Sequence, residues 1–175
     1  MSSHLPVLEG ERLRLRPLAE ADLEPLIEII KAPGVIEWWG PIGDDAKLRD
    51  DLLLPGSDDE NAFAIEVGTE LAGWLSVTEE NEPSYRSAAL DIMLAVDHQD
   101  HGLGPEALHL AIDWLAAARG HHRFTIDPDA GNARAIAAYE KAGFKPVGVM
   151  RDYEIGFDGE MHDGLLMDLL ARELD

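Results

Sequence analysis

Hydrophobic positions along the chain recur at two spacings, one typical of strands and the other typical of helices. Residues 11–16 alternate polar and apolar side chains, which is the period of a half-buried strand. Residues 19–31 carry their apolar side chains three and four positions apart, which predicts a helix, and residues 44–54 predict a second, shorter one. Between these helices, residues 35–41 are loop-like and contain two adjacent tryptophans.

The rest of the chain predicts a sheet interrupted by two further helices. Residues 105–119 and 134–142 predict helices, each followed by a glycine that can end it. The remaining predicted strands are residues 61–67, 71–78, 88–96, 123–126, 144–155 and 160–171. This order predicts an α/β (α+β) fold with a mixed, mostly antiparallel twisted sheet of about seven strands, flanked by about four helices. The connection through helix 105–119 predicts one parallel, right-handed crossover.

The length and composition fit one domain over residues 1–175. Of the 175 residues 46% are hydrophobic, which is enough to bury a core. No apolar stretch approaches the roughly 18 residues of a membrane helix, and the start lacks the pattern of a secretory signal. We therefore expect a cytoplasmic protein with no membrane partner. Because the sequence has no cysteine, a disulfide framework, a thiolate metal site and a cysteine nucleophile are excluded.

The charge balance of the chain is strongly acidic. There are 35 Asp and Glu residues against 14 Lys and Arg residues, a formal net charge of −21. A field of this sign repels nucleic acid and concentrates cations near any cleft that it lines. We therefore expect no nucleic-acid partner. The acidity fits a cationic substrate and adaptation to salt equally well, and both a monomer and a homodimer stay open.

A turn with two glycines follows the predicted strand 88–96. It reads Gln99-Asp100-His101-Gly102-Leu103-Gly104 and leads through Pro105 into the helix. Glycines let the backbone approach a ligand closely, and the amides at a helix start favour anions. Proline at the first helical position is pre-organised for such a turn. The spacing is typical of an anion site but also of plain packing, and it lacks the third glycine of a dinucleotide fingerprint.

A second segment, residues 132–144, lies one predicted strand further along the chain. Together with the glycine turn it resembles the paired motifs of the GCN5-related N-acetyltransferase (GNAT) superfamily, over roughly residues 9–172. The resemblance implies a GNAT fold with acetyl-CoA as acyl donor, its pyrophosphate held by the turn. The donor-binding residues that it implies are Met93, Leu94, Ala95, Val96, Gln99, Asp100, His101, Gly102, Leu103, Gly104, Pro105, Asn132, Ala135 and Tyr139.

Two side chains are candidates for catalysis, Asp91 and Tyr139. Asp91 is the one charge inside an apolar strand, where alternation places it on the face opposite Leu90, Ile92 and Leu94. A carboxylate there could take a proton from an amine, directly or through water, or could be a satisfied buried acid. A tyrosine can protonate a departing thiolate, although Tyr139 could also only pack under the sheet. The GNAT resemblance also implies that a backbone amide near residues 93–95 stabilises the oxyanion. Because the sequence has no cysteine to carry the acyl group, we expect direct transfer in a ternary complex.

The acceptor is indicated by a second, narrower resemblance. The segment Glu37-Trp38-Trp39-Gly40, with residues 125–132 and 139–144, is similar to the aminoglycoside 6′-N-acetyltransferases. Carboxylates suit polycations, and indoles give flat walls for sugar rings. The resemblance implies an acceptor site of Trp38, Trp39, Asp91, Asp127 and Asp158. As an alternative, the tryptophans could belong to a packed loop.

Other acceptors and one non-enzymatic function remain open. Residues 161–170 resemble the ribosomal-protein N-acetyltransferase-like members of the superfamily, so a protein N-terminus, a polyamine or a lysine-type amine is an alternative acceptor. A catalytically silent acyl-CoA sensor is the alternative from another class. His98 and His101 have ligand-like spacing but no third ligand at metal spacing, so we expect no metal.

Overall fold

The computed structural model describes residues 5–54 and 58–175. In this part of the chain there are four α-helices and eight strands. The helices are α1 (Leu23–Lys31), α2 (Asp45–Leu53), α3 (Leu103–Arg119) and α4 (Ala133–Ala142). The strands are β1 (Leu8–Glu9), β2 (Arg14–Pro17), β3 (Glu60–Val67), β4 (Glu70–Glu80), β5 (Ser87–Leu94), β6 (Arg123–Ile126), β7 (Lys145–Ile155) and β8 (Met161–Leu170).

The structure confirms every predicted helix and strand and corrects three details. The short strand β1 was not predicted, because two residues carry no periodicity. The first predicted strand starts only at Arg14, since the Gly10 N–H bonds the Leu13 carbonyl in a turn at 2.8 Å. Helix α3 starts at Leu103, so Pro105 is its third residue rather than its first. In addition, the predicted loop 35–41 contains a short 3-10 helix, Ile36–Trp38.

One eight-stranded sheet has the order β1-β2-β3-β4-β5-β6-β8-β7. Neighbouring strands are antiparallel except β5 and β6, whose parallel pairing confirms the predicted crossover through α3. These two strands pair only where Ser87–Ala89 meets Arg123–Thr125, whereas β4 follows β5 as far as Leu94. The second half of β5 therefore has a free edge, and a gap opens between β5 and β6.

The helices cover the two faces of the sheet with separate apolar clusters. Helices α3 and α4 share one cluster with the sheet, which includes Leu90, Leu108 and Phe124. Helices α1 and α2 share the other with Met93 and Trp74, whose indole N–H donates to the Leu52 carbonyl at 3.0 Å. Because Leu90 and Met93 lie in different clusters, the alternation of β5 places Asp91 on the face of α1 and α2. Its position opposite Leu90 confirms the prediction.

A buried ion cluster closes the sheet at the end remote from the gap. The Glu79 carboxylate, at the end of β4, accepts hydrogen bonds from Arg119 at 2.7 and 3.0 Å. The His121 ring lies 2.6 Å from the same carboxylate. Buried charges need partners of this kind, so the cluster fixes the carboxyl end of α3 to the sheet.

We predict that Leu108→Ala lowers the free energy of unfolding by about 2–5 kcal/mol, because it leaves a cavity between α3 and the sheet. Leu108 is fully buried, whereas Leu53 on α2 is 42% exposed. Leu53→Ala is the matched control and should cost much less. Urea denaturation measures both, and equal losses would contradict this description of the core.

Candidate active site

Two cavities meet in the gap between β5 and β6. The first, which we call the glycine-turn cavity, has a volume of about 350 Å³ and lies between the end of β5, the glycine turn and α4. The second, which we call the acidic cavity, has a volume of about 270 Å³ and lies on the other side of the gap. Five residues line both cavities: Trp38, Trp39, Ile92, Asn132 and Tyr139. A ligand in one cavity can therefore contact a ligand in the other.

Most of the residues expected to bind the donor line the glycine-turn cavity. They are Met93, Leu94, Gln99, Asp100, Gly102, Leu103, Gly104, Pro105, Asn132, Ala135 and Tyr139. Three expected residues line neither cavity: Ala95, Val96 and His101. Val96 is 46% exposed. The structure thus brings together the two segments on which the GNAT resemblance rests.

The glycine turn is held in shape by a residue far away in the sequence. Gly102 has φ +75°, a conformation that favours glycine, and it caps α3. The Arg12 guanidinium donates to the carbonyls of His101 at 2.7 Å and Gly102 at 3.1 Å, and pairs with Glu106 at 2.8 Å. With these carbonyls occupied, the turn presents the first amides of α3 to the cavity.

Basic side chains offset the acidity of the chain at this cavity. Arg134 and Lys141 both line it. Arg134 hydrogen-bonds Gln99 and lies 3.5 Å from the Asp100 carboxylate, so the acid inside the turn has a cationic partner. The Gln99 amide nitrogen donates to the Leu94 carbonyl at 3.1 Å. Gln99 therefore joins the turn to β5 and to α4.

The free edge of β5 offers a backbone donor. The Ala95 N–H bonds the Ala72 carbonyl next to β4 at 2.8 Å. Successive amides along a strand point to opposite edges, so the Leu94 N–H points away from β4, into the gap. The neighbouring donor on this edge, the Ile92 N–H, is occupied by the Asp91 carboxylate at 3.0 Å. Leu94 is accordingly the amide that can bind a developing oxyanion.

The acidic cavity is lined by four carboxylates and by aromatic rings. Asp91 comes from β5, Asp127 and Asp129 follow β6, and Glu154 lies on β7. Of the five residues expected to bind the acceptor, Trp38, Trp39, Asp91 and Asp127 line this cavity. Asp158 does not line it; its carboxylate lies on the β7–β8 turn, 2.9 Å from the His162 ring.

The electrostatics of the cavity favour a protonated or cation-paired Asp91. Asp91 is exposed to solvent through the cavity, although its carboxylate lies deep among protein atoms. Burial, then the negative charges of Asp127 and Glu154, raise its pKa to about 7, against one opposing hydrogen bond from the Ile92 N–H. Burial also raises the pKa of Glu154. A cation bound here would relieve the repulsion among these groups.

Two tyrosines, Tyr139 and Tyr153, line the cavity. Tyr139 is only 8% exposed, and its ring packs edge-on against Phe144 with centroids 6.3 Å apart. Burial, then the charges of Asp91 and Asp127, raise the pKa of Tyr139, so its hydroxyl keeps its proton. Tyr153 donates to the Asp127 carboxylate, a bond that raises the pKa of Tyr153 to about 12.

Sequence reasoning missed six charged or polar residues of this site. Arg12 and Arg134 support the glycine turn, and Lys141 lines the cavity beside it. Asp129, Tyr153 and Glu154 line the acidic cavity. Asp129 stands two positions after Asp127, and this spacing is the one feature of the sequence that could have indicated its place in the site. In the described ranges 5–54 and 58–175 no group of three or more His, Asp or Glu side chains could hold a metal ion. In the same ranges no helix is long and apolar enough to cross a membrane.

Comparison with known proteins identifies the fold family. The acetyltransferase (GNAT) domain model matches residues 12–145. The chain belongs to the GNAT acetyltransferase family. This acetyltransferase is 28% identical over 160 residues to the aminoglycoside N(6′)-acetyltransferase type 1 of Klebsiella pneumoniae, with 81% of this chain and 78% of that protein covered.

Solved structures share the fold of this acetyltransferase. The spermidine N-acetyltransferase of Vibrio cholerae, solved with CoA and spermine, has a TM-score of 0.78 at 22% identity and covers 93% of this chain and 97% of its own. The ribosomal L7/L12 α-N-protein acetyltransferase RimL has a TM-score of 0.81 at 20% identity, with 94% of both chains covered. The resemblance to the GNAT superfamily and to the aminoglycoside 6′-N-acetyltransferases is confirmed, and with it the assignment as an N-acetyltransferase. The ribosomal-protein acetyltransferase RimL shares the fold.

We predict that Asp91→Asn stabilises this acetyltransferase above pH 7. The folded state raises the pKa of Asp91 from 3.8 to about 7. Ionisation of Asp91 therefore costs folding free energy that grows as the pH rises from 3.8 to 7 and is constant above that. Asn cannot ionise. The melting temperature of the variant minus that of the parent should therefore increase as the pH rises from 3.8 to 7.

Asp97→Asn is the matched control, because Asp97 is exposed and lies outside both cavities. It removes the same formal charge and should show no gain in this pH window. If the two variants gain equally, the effect comes from the net charge of the chain and not from the acidic cavity.

Proposed function

We propose that this acetyltransferase transfers the acetyl group of acetyl-CoA to a primary amine of a cationic small molecule, with the 6′-amino group of an aminoglycoside as the preferred candidate. One observation carries the proposal. A cavity lined by four carboxylates opens, at Tyr139 and Asn132, into a cavity built around an anion-binding turn. A cationic acceptor and an anionic donor would meet at that junction.

The glycine-turn cavity fits the donor in three respects. The amides of Leu103 and Gly104 at the start of α3 suit the pyrophosphate of acetyl-CoA. Arg134 and Lys141 supply positive charge for its phosphates. The free edge of β5 leaves room for the pantetheine arm beside Leu94, which would bring the thioester towards Tyr139. The spermidine N-acetyltransferase of Vibrio cholerae, which has the same fold, binds CoA, and this fits a CoA-type donor here.

The side chains present support direct transfer. Asp91 would accept a proton from the ammonium group, directly or through water, which leaves a neutral amine. The amine nitrogen would then bond to the thioester carbon, while the Leu94 N–H stabilises the negative oxygen. As the carbon–sulfur bond breaks, the Tyr139 hydroxyl would protonate the thiolate and be reprotonated by the proton still held on nitrogen.

The shape and charge of the acidic cavity support a polycationic acceptor with rings. Four carboxylates attract several ammonium groups. Trp38 is 42% exposed, and Trp39 packs edge-on against Trp74 at 5.8 Å, so an indole wall faces the cavity. Such a wall suits the rings of an aminosugar. The carboxylates alone would also suit a linear polyamine, which is the second candidate acceptor.

We expect acetyl-CoA to release free thiol in the presence of aminoglycosides that carry a 6′-amino group. Analogues with a 6′-hydroxyl in its place are the matched control substrates and should give no release. Spermidine and a peptide with a free N-terminus test the other acceptors. Release with peptides alone would refute the proposal, and binding of acetyl-CoA without turnover on any amine would instead indicate an acyl-CoA sensor.

We predict that Asp91→Asn and Tyr139→Phe each lower kcat by at least about tenfold, because each removes a proton-transfer group. The KM for acetyl-CoA should change little. Tyr85→Phe and Asp97→Asn are the matched controls, since Tyr85 is 71% exposed and neither residue lines a cavity. Steady-state kinetics measures all four variants. An unchanged kcat for either test variant would remove that residue from the mechanism.

A further inference from the structure

The His162 ring lies between two carboxylates behind the acidic cavity. His162 is on β8, opposite Glu154 on β7. Its Nδ1 lies 2.5 Å from Asp129 Oδ2, and its Nε2 lies 2.9 and 3.0 Å from the two Asp158 oxygens. A carboxylate only accepts hydrogen bonds, and an imidazole donates from both nitrogens only when it is protonated. The contacts therefore select the imidazolium form.

The β7–β8 turn provides a fitted place for this ring. A Cβ atom added at Gly156 would lie 2.5 Å from Cε1, 2.6 Å from Nε2 and 2.8 Å from Nδ1 of His162. These distances are too short for any side chain, so the ring lies directly against the Gly156 backbone. The Asp158 carboxylate is held in the same turn by the Glu160 N–H at 3.0 Å. The Gly156 backbone and the Asp158 carboxylate thus hold the ring in place independently of its contact with Asp129.

Asp129 connects the ring to the junction of the two cavities. Its second carboxylate oxygen accepts from the Gly131 N–H at 2.8 Å, and its carbonyl accepts from the Asn132 N–H at 2.9 Å. Asn132 caps α4 by accepting from the Ala135 N–H at 3.2 Å. A displacement of Asp129 would therefore also displace Asn132, which lines both cavities.

We propose that His162 is a positioning residue of the acceptor site, and that Asp158 acts through His162 rather than on the acceptor. The ring joins the β7–β8 turn to Asp129 and so sets the wall of the acidic cavity. Its positive charge pairs with one of the wall carboxylates, which leaves Asp91 and Glu154 to meet the acceptor. The kinetic consequences rest on the proposed function; the protonation of the ring does not.

The charged groups that face the ring come from three elements. They are Asp129 in the β6–α4 turn, Asp158 in the β7–β8 turn and Glu154 on β7, all acidic. The hydrogen bonds to Asp129 and Asp158 raise the pKa of His162 from 6.5 to about 9. Because the folded state raises this pKa, the contribution of the ring is complete below pH 6.5 and is lost as the pH rises through 9.

A double-mutant cycle at pH 7.5 tests the kinetic part. We expect His162→Gln to raise the KM for the acceptor about tenfold, which corresponds to the loss of one hydrogen bond to a charged group. The KM for acetyl-CoA should change much less. Asp158→Asn should raise the acceptor KM in the parent protein but not further in the His162→Gln background. Glu160→Gln, on the same exposed turn, removes the same charge and should have no effect.

The outcome that overturns the proposal is an Asp158→Asn effect of equal size in both backgrounds, because Asp158 would then contact the acceptor itself. An NMR titration of the histidine ring signals supplies a readout that needs no activity. The signal absent from His162→Gln should titrate near pH 9 in the parent protein and at lower pH in Asp158→Asn. A parent ring that titrates near pH 6.5 would refute the proposal even in an active enzyme.

The NMR titration distinguishes a failure of this proposal from a failure of the proposed function. If no amine is acetylated, the function fails, while the ring can still be shown to hold its proton between Asp129 and Asp158. If His162→Gln does not fold, Asp158→Asn remains informative, because Asp158 lies on an exposed turn and its replacement leaves the core intact. In that case the ring signal that titrates near pH 9 in the parent protein is followed instead, and the proposal is refuted if Asp158→Asn leaves that signal unmoved.

Discussion

The separation of β5 from β6 is the constraint on which the site depends. The two strands pair over Ser87–Ala89 and then diverge, because β6 is only four residues long and the chain leaves it at Asp127. The divergence leaves the Leu94 amide and carbonyl without a neighbouring strand. It also places the first turns of α3 and α4 on one side of the gap and Asp91 on the other. A fully paired sheet would have closed both cavities.

The gap also separates two opposite electrostatic environments in a chain with a net charge of −21. On one side, helix amides and the side chains of Arg134 and Lys141 favour an anion. On the other, four carboxylates favour a cation. Screening over about 8 Å at physiological salt lets the local groups outweigh the distant ones. An acidic protein can therefore carry an anion site without a conflict.

The four carboxylates of the acidic cavity repel one another, and this repulsion destabilises the fold. Neighbouring hydrogen-bond donors reduce the repulsion at three of them. Tyr153 donates to Asp127, the Gly131 N–H and His162 hold Asp129, and the Ile92 N–H donates to Asp91. The repulsion that remains is expressed in the raised pKa values of Asp91 and Glu154. Groups whose charge is disfavoured by their neighbours are the ones that gain most from a bound cation, and such groups are common in functional sites.

The sequence by itself determined the elements and the two motifs that line the glycine-turn cavity. Periodicity fixes which face of a strand or helix is apolar, so β5, α3 and α4 could be predicted, and with them the place of Asp91. The glycine turn and the Asn132–Phe144 segment are local motifs.

Only the tertiary structure decided which distant residues meet: Arg12 reaches a turn 90 residues away, and Glu154 joins Asp91 across the gap. Asp158 is an example of what the sequence could not show. Spacing along a chain does not tell whether a carboxylate on a hairpin faces a cavity or a histidine, because this depends on strand pairing and on the space beside Gly156.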